Sequence, residues 1–206
     1  MRGGFYFITD GGMTVNGVVR DVADAIAGGA AAVQYRRKDG DSRTLYEEAL
    51  AVREVCSSRG ATFVVNDRLD IAMAVGADGV HLGPKDIPPR AARRVYDGII
   101  GVTVSTVEDG VEACRAGASY LGVSPVYPTS TKPDAGRAVG PGLVRRLKER
   151  VGVPLFAIGG ITLERVPEVM AAGAEGVCAI SATSGEDVER KVRAFVRAVS
   201  GGCPPR

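Results

Sequence analysis

Four stretches of this chain share one grammar: Gly28-Gly29-Ala30-Ala31-Ala32-Val33, Gly76-Ala77-Asp78-Gly79-Val80, Gly117-Ala118-Ser119-Tyr120-Leu121 and Gly173-Ala174-Glu175-Gly176-Val177. Each closes a stretch of helical character and opens into a short apolar run. A glycine that can take positive φ stops a helix, and the small residues after it feed directly into a buried strand. The apolar runs are rich in β-branched residues and fall at 5–8, 32–35, 62–65, 79–82, 99–104, 120–123, 154–158 and 176–180. They read as strands buried on both faces, which parallel sheets require.

Helical periodicity fills the intervals. Leu45, Ala49, Val52 and Cys56 recur at i, i+4, i+7 and i+11, as do Val188, Val192, Phe195 and Val199. Pro141 suits a first helical turn ahead of Leu143, Leu147 and Val151, and Pro167 restricts the seventh helix to a short piece beginning near it. Eight strand–helix units in 206 residues, with no linker between them, predict a (β/α)8 TIM barrel, an α/β single domain over residues 1–200 with a frayed tail at 201–206. The open doubly wound sheet is the alternative, but Thr9-Asp10-Gly11-Gly12-Met13 lacks the Gly-x-Gly-x-x-Gly that usually follows its first strand.

Composition narrows the partners. Apolar residues make up 45% and charged residues 24%, which excludes wholesale disorder. A net charge of +2 argues against a chain-wide nucleic-acid footprint while leaving a local basic pocket open. No run reaches the ~18 apolar residues of a membrane span, and charge interrupts the N-terminus before any signal-peptide core forms. Four scattered cysteines, with no Cys-x-x-Cys, fit free thiols in a reducing compartment, so the chain reads as cytoplasmic. A homo-oligomer stays open. Glycine is the outlier: 28 residues, about twice the usual ~7%.

In a (β/α)8 barrel the working residues stand where strands end and the following loops begin. Here those ends are polar. Gln34, Arg36 and Lys38 alternate after the second strand, so in extended chain they share one side and could hold an anion. Asn66-Asp67 follows the third strand and Asp86 the fourth; singly each Asp suits a helix N-cap, but on neighbouring loops the pair suits Mg²⁺, a cation of hard oxygen donors. His81 lies within a strand and reads as a packed or hydrogen-bonded histidine. Thr103 supplies a hydroxyl near the mouth. The loop from Ser124 to Gly140 carries Thr129, Ser130, Thr131 and Lys132 between prolines, and its length favours a working loop or lid. Gly159-Gly160 after strand seven and Ser181 after strand eight fall where barrels commonly bind phosphate. The inventory gives one subsite for a metal-bound diphosphate and one for a monophosphate, with no thiol among these strand ends and no Ser–His–Asp set. Such a kit suits ionisation of a diphosphate leaving group.

Taken together, Ile8-Thr9-Asp10, Gln34-Tyr35-Arg36-Arg37-Lys38, Asn66-Asp67-Arg68, Gly79-Val80-His81-Leu82-Gly83, the run from Ser124 to Lys132, Ala157-Ile158-Gly159-Gly160-Ile161 and Ile180-Ser181 resemble the thiamine-phosphate synthase family. The likeness runs through nearly the whole chain in family order. It implies joining of 4-amino-2-methyl-5-hydroxymethylpyrimidine diphosphate to a thiazole phosphate, or its 2-carboxylate, with release of pyrophosphate. By that resemblance Gln34, Arg36, Lys38, Asn66, Thr103 and Lys132 bind the pyrimidine diphosphate, with Lys132, Arg36 and Thr103 serving the chemistry. Asp67 and Asp86 ligate Mg²⁺, and Thr129, Thr131, Gly160, Ile180 and Ser181 hold the thiazole phosphate. The implied mechanism is dissociative. Thr103 stands where many members carry serine, and Arg37 where glutamate is frequent; neither departure bears on the assignment. A thiazole tautomerase relative carries histidine at the position of Pro125, which disfavours that reading, and nothing beside the barrel supports a non-catalytic sensor of thiamine phosphate.

Overall fold

The protein is described by a computed structural model over residues 3–132 and 136–201. The expected tail at 201–206 therefore lies, beyond Gly201, outside the described residues, as do Pro133, Asp134 and Ala135 of the sixth loop. Eight strands, β1 (Gly4–Ile8), β2 (Ala32–Tyr35), β3 (Thr62–Asn66), β4 (Gly79–Leu82), β5 (Ile99–Val104), β6 (Tyr120–Val123), β7 (Leu155–Ala157) and β8 (Gly176–Ala179), pair in parallel and in sequence order, and β8 closes on β1. Helices α1 (Val18–Ala27), α2 (Ser42–Arg59), α3 (Leu69–Ala74), α4 (Pro89–Ala92), α5 (Val107–Arg115), α6 (Pro141–Lys148), α7 (Val166–Ala171) and α8 (Val188–Val199) alternate with the strands. The (β/α)8 expectation holds.

The recurring glycines do the work their sequence context predicts. Gly29, Gly76, Gly117 and Gly173 all have positive φ, between 63° and 103°. Each glycine N–H donates to the carbonyl three residues back, and the alanine after it to the carbonyl five back, as in Ala30 to Ala25 and Ala174 to Val169. This double bond satisfies the orphan carbonyls of the helix end in one turn. A fifth such turn, Gly60-Ala61 after α2, follows the same pattern. The next position has its own role: the side chains of Asp78, Ser119 and Glu175 accept the N–H of Phe63, Ile100 and Leu155 at 2.8, 3.1 and 2.8 Å. Each thereby ties the entry of one strand to a neighbouring one.

β1 and β3 each gain one residue over expectation, and two strands are shorter. β7 is shorter than 154–158, because Pro154 has no N–H for the ladder and Gly159 turns the chain away at φ 95°. β8 ends at Ala179, where Thr183 and Ser184 already bend back to the Ile180 carbonyl.

Alternation along the strands divides the apolar residues into two cores. Phe5 and Phe7 of β1 face the helices, Phe5 meeting Phe195 of α8 at 5.2 Å between ring centroids. Tyr6 and Ile8 face the barrel axis with Val64, Tyr120, Phe156 and Cys178. The three axial rings meet edge to face at 5.5–6.0 Å, a geometry that aromatic quadrupoles favour. Room for them comes from glycine: a Cβ on Gly101 would lie 2.0 Å from the Tyr120 ring, and one on Gly176 would lie 2.6 Å from Phe156. The aromatic floor lifts the site onto the strands' C-terminal ends.

Candidate active site

The cavity above this floor gathers the expected residues from six of the eight strand ends. Gln34, Arg36 and Lys38 line it from β2, Asn66 and Asp67 from β3, and Thr103 from β5. Thr129, Thr131 and Lys132 reach it from the loop after β6, Gly160 from β7, and Ile180 and Ser181 from β8. Asp86 stands one step behind the lining: its carboxylate accepts the Gly83 N–H at 2.7 Å and shares a hydrogen bond with Asp67.

The two aspartates are not helix caps. The residues that precede α3 and α4 are Arg68 and Pro88, and neither helix has a side-chain cap. Asp67 instead takes φ 62°, a left-handed conformation that Asp tolerates better than most residues. Hydrogen bonds from Asp67 N–H to the His81 carbonyl (2.8 Å) and from Leu69 N–H to the Asp67 carbonyl (3.0 Å) hold that bend. Burial pushes the Asp67 carboxyl up, yet the Lys38 ammonium at 2.5 Å and the Asp86 hydrogen bond outweigh it and hold the group below the ordinary carboxylate range. Asp86 goes the other way, raised by burial and by the Asp67 carboxylate beside it. Two carboxyls this close share a proton or a cation. Among the described residues no group of three His, Cys, Asp or Glu assembles, so a cation here would complete its shell with ligand oxygens and water. Magnesium accepts that arrangement, and a structural zinc site does not.

The charge balance corrects the simple picture of three fixed cations. Arg36 is already paired with Asp10 at 2.6 Å, and Lys38 with Asp67. Lys132 makes no ion pair among the described residues. The Arg36 backbone is clamped by Thr9, whose hydroxyl accepts the Arg36 N–H at 2.8 Å and donates to its carbonyl at 3.1 Å. Both partners come from the Thr9-Asp10 dipeptide at the end of β1, part of the family-like Ile8-Thr9-Asp10 but given no role there.

On the opposite wall, Gly159 and Gly160 turn at φ 95° and 61°. A Cβ on Gly160 would lie 2.5 Å from the Pro128 carbonyl, so the two loops meet without room for a side chain. Arg165 braces this turn, donating to the Gly160 carbonyl at 2.6 Å while its guanidinium lies 4.5 Å from the Tyr127 ring centroid. The Thr131 hydroxyl donates to Ser181 at 3.2 Å. The N–H groups of Gly160, Ser181 and Ala182 donate to no acceptor among the described residues, leaving a nest of amides beside the cavity.

His81 is hydrogen-bonded as expected, with Nδ1 2.9 Å from the Tyr120 hydroxyl and Nε2 2.9 Å from Thr103 Oγ1. Burial pushes its pKa down to about 4, against the Asp67 charge that raises it. One expectation is overturned: a thiol does lie against the site, because Cys178 points inward from β8 into the cavity floor. Burial raises its pKa and suppresses the thiolate, so it is a packed thiol and not a nucleophile. Alternation puts Cys178 on the same strand face as Ile180, and closure of the barrel makes that face the inner one.

A closed barrel whose C-terminal rim collects cations, paired carboxylates and free amides defines a class of enzyme that handles phosphorylated small molecules. Known proteins narrow the class. The family model described as thiamine monophosphate synthase matches residues 5–183. A thiamine-phosphate synthase of Methanospirillum hungatei is 50% identical over 87% of this chain and 88% of its own, and one of Methanosarcina barkeri is 43% identical over 93% and 88%. The solved thiamine phosphate pyrophosphorylase of Pyrococcus furiosus superposes with a TM-score of 0.90 at 38% identity, covering 96% of each chain. The chain belongs to the thiamine monophosphate synthase family. No helix among the described residues is long and apolar enough to cross a membrane.

Proposed function

We propose that this cavity condenses a hydroxymethylpyrimidine diphosphate with a thiazole phosphate, releasing pyrophosphate and forming thiamine phosphate. One observation carries the reading: Lys132, Arg36 and the Lys38–Asp67 pair share a single cavity with the amide nest at Gly160 and Ser181. Two phosphorylated ligands can then be held with their reacting ends between the walls. Arg36, Lys38, Gln34, Asn66 and Thr103 bind the pyrimidine diphosphate, and Thr129, Thr131, Ile180 and the amides of Gly160 and Ser181 hold the thiazole phosphate. Mg²⁺ would be held by Asp67 and Asp86 and would neutralise diphosphate oxygens there.

The C–O bond to the diphosphate breaks first, its electron pair leaving with the oxygen. Lys132 and Arg36 stabilise that growing negative charge. The thiazole nitrogen then donates its lone pair to the pyrimidine methylene cation, and the new C–N bond leaves a thiazolium. No proton need move at the reacting atoms, in keeping with a site whose one imidazole is held by two protein hydrogen bonds. Charge stabilisation of this kind is the largest usual contribution to rate. The free thiols of Cys56, Cys114 and Cys178 support a reducing, cytoplasmic setting.

The test is incubation of purified protein with both substrates and Mg²⁺, followed by mass spectrometry. Thiamine phosphate and pyrophosphate in equal amounts are expected. An isomerised thiazole carboxylate without pyrophosphate would mark a tautomerase, and unchanged substrates would overturn the proposal. Lys132→Ala is expected to slow pyrophosphate release on the order of 100-fold, the cost of losing one charged stabiliser. Calorimetry should find thiazole phosphate affinity changed by less than about threefold; an equal loss in both would contradict the division into subsites.

A further inference from the structure

Beneath the cavity, five side chains from five strands form one hydrogen-bonded chain. Gln34 Nε2 donates to the Tyr6 hydroxyl at 3.0 Å, and Tyr6 lies 3.0 Å from the Tyr120 hydroxyl. Tyr120 lies 2.9 Å from His81 Nδ1, and His81 Nε2 lies 2.9 Å from Thr103 Oγ1. Gln34, Tyr6 and Tyr120 are buried, so bulk water does not compete for the links among them. Nothing in the reaction derived above uses Tyr6, Tyr120 or His81.

Hydrogen counting gives such a chain a direction. Each tyrosine, the neutral imidazole and the threonine own a single polar hydrogen. With Gln34 donating into Tyr6, the buried Tyr6 hydrogen finds an acceptor among the described residues only in Tyr120, and that of Tyr120 then only in His81 Nδ1; a buried hydroxyl hydrogen left unbonded would be costly. The imidazole then carries its hydrogen on Nε2 and donates to Thr103. Thr103 has its own hydroxyl hydrogen left over, at the end of the chain opposite Gln34, where it lines the cavity. Burial favours the neutral form of both tyrosines, and one hydrogen on each group then satisfies every link. Were Gln34 to present its carbonyl instead, every link would reverse and Thr103 would accept.

We infer that Gln34, Tyr6, Tyr120 and His81 are positioning residues: a polarised relay that presents Thr103 as a hydrogen-bond donor to an acceptor atom of the pyrimidine diphosphate. The inference rests on the binding role assigned to Thr103 above. It adds the reason why a histidine without acid–base duty stands in the site: an imidazole accepts on one nitrogen and donates on the other, transmitting direction between two hydroxyls that face different strands.

His81 is the sole histidine of the chain, which makes the test direct. Untagged protein labelled with ¹⁵N-histidine should show, without any ligand, one imidazole spin system in the Nε2–H tautomer. An Nδ1–H tautomer, or an even mixture of the two, overturns the relay whether or not the protein proves to be a synthase. Tyr6→Phe cuts the chain beside Gln34 while leaving the ring in place, and is expected to let both tautomers appear. In steady-state assays the same variant should raise KM for the pyrimidine diphosphate about tenfold, the value of one hydrogen bond, with KM for the thiazole phosphate within twofold. Thr103→Val should match it, and Thr103→Ser should restore the wild-type value. A single unchanged tautomer in Tyr6→Phe, or equal shifts in both KM values, would show the tyrosines to be packing alone. A failed synthase assay with the Nε2–H tautomer present would count against the proposed reaction and not against the relay.

Discussion

Asp67→Asn is expected to abolish turnover, lowering pyrophosphate release on the order of a thousandfold, while the protein stays folded. Asparagine is chosen because it accepts the φ of 62° at this position as readily as aspartate, so the bend between β3 and α3 survives. What disappears is the charge. Lys38 loses its partner at 2.5 Å, and Asp86 loses the carboxylate with which it shares a hydrogen bond. The carboxylate pair that would hold Mg²⁺ against the diphosphate is then halved, and removing a preorganised electrostatic group costs about 3–4 kcal/mol in the transition state. A continuous pyrophosphate assay over a wide range of Mg²⁺ concentrations, with a thermal melt alongside, decides the matter. More than a tenth of wild-type activity at any concentration would remove Asp67 from the proposed metal site. Asp67→Ala is less informative, because alanine resists the left-handed backbone and mixes strain with the loss of charge.

Gly101→Ala is expected to be the most damaging small substitution in the barrel. Gly101 sits in β5 between His81 of β4 and Tyr120 of β6, and an added Cβ would lie 2.0 Å from the Tyr120 ring. The ring is buried against Tyr6 and Phe156 and cannot retreat without breaking its hydroxyl contacts to Tyr6 and His81. Overpacking of this kind costs about 3 kcal/mol, and the two weakened hydrogen bonds about 1 kcal/mol each. For a chain of this size that corresponds to a fall in Tm on the order of 10 °C. Gly142→Ala is the contrasting case: Gly142 lies in α6, where the nearest atom to an added Cβ is 3.6 Å away and the backbone is helical. There the same methyl should stabilise by about 0.5–1 kcal/mol. Differential scanning calorimetry of both variants checks the pair, and a Gly101→Ala melt within 3 °C of wild type would show the axial rings to be loosely held.

The site was partly legible before the structure. Gln34, Arg36 and Lys38 could be assigned to one side because alternation in extended chain is a local property, and all three do line the cavity. Asp67 and Asp86 could be put on neighbouring rims from the order of strands alone. Asp10 could not be given its role as the partner of Arg36, because that pairing depends on β1 lying beside β2 in register, with Ile8 opposite Gln34. The relay was hidden more deeply: Tyr6 and Tyr120 are 114 residues apart and meet across the axis only because the barrel closes. Cys178 escaped notice as a floor residue for a related reason, since strand parity has meaning only once the inner face is known.

What the linear chain determined is therefore the class of fold and the order and approximate extent of its elements. Helix stops, strand runs and the first turns of helices rest on backbone conformations and hydrogen bonds within a few residues of one another. What tertiary structure alone decided is the electrical state of the rim and the direction of the proton-bearing groups under it. Two of the three cations expected there meet carboxylates, and Thr103 sits at one end of a hydrogen-bonded line, because charge and hydrogen-bond partners are chosen by distance through space. Eight strands bent into a ring bring together side chains that no local rule connects.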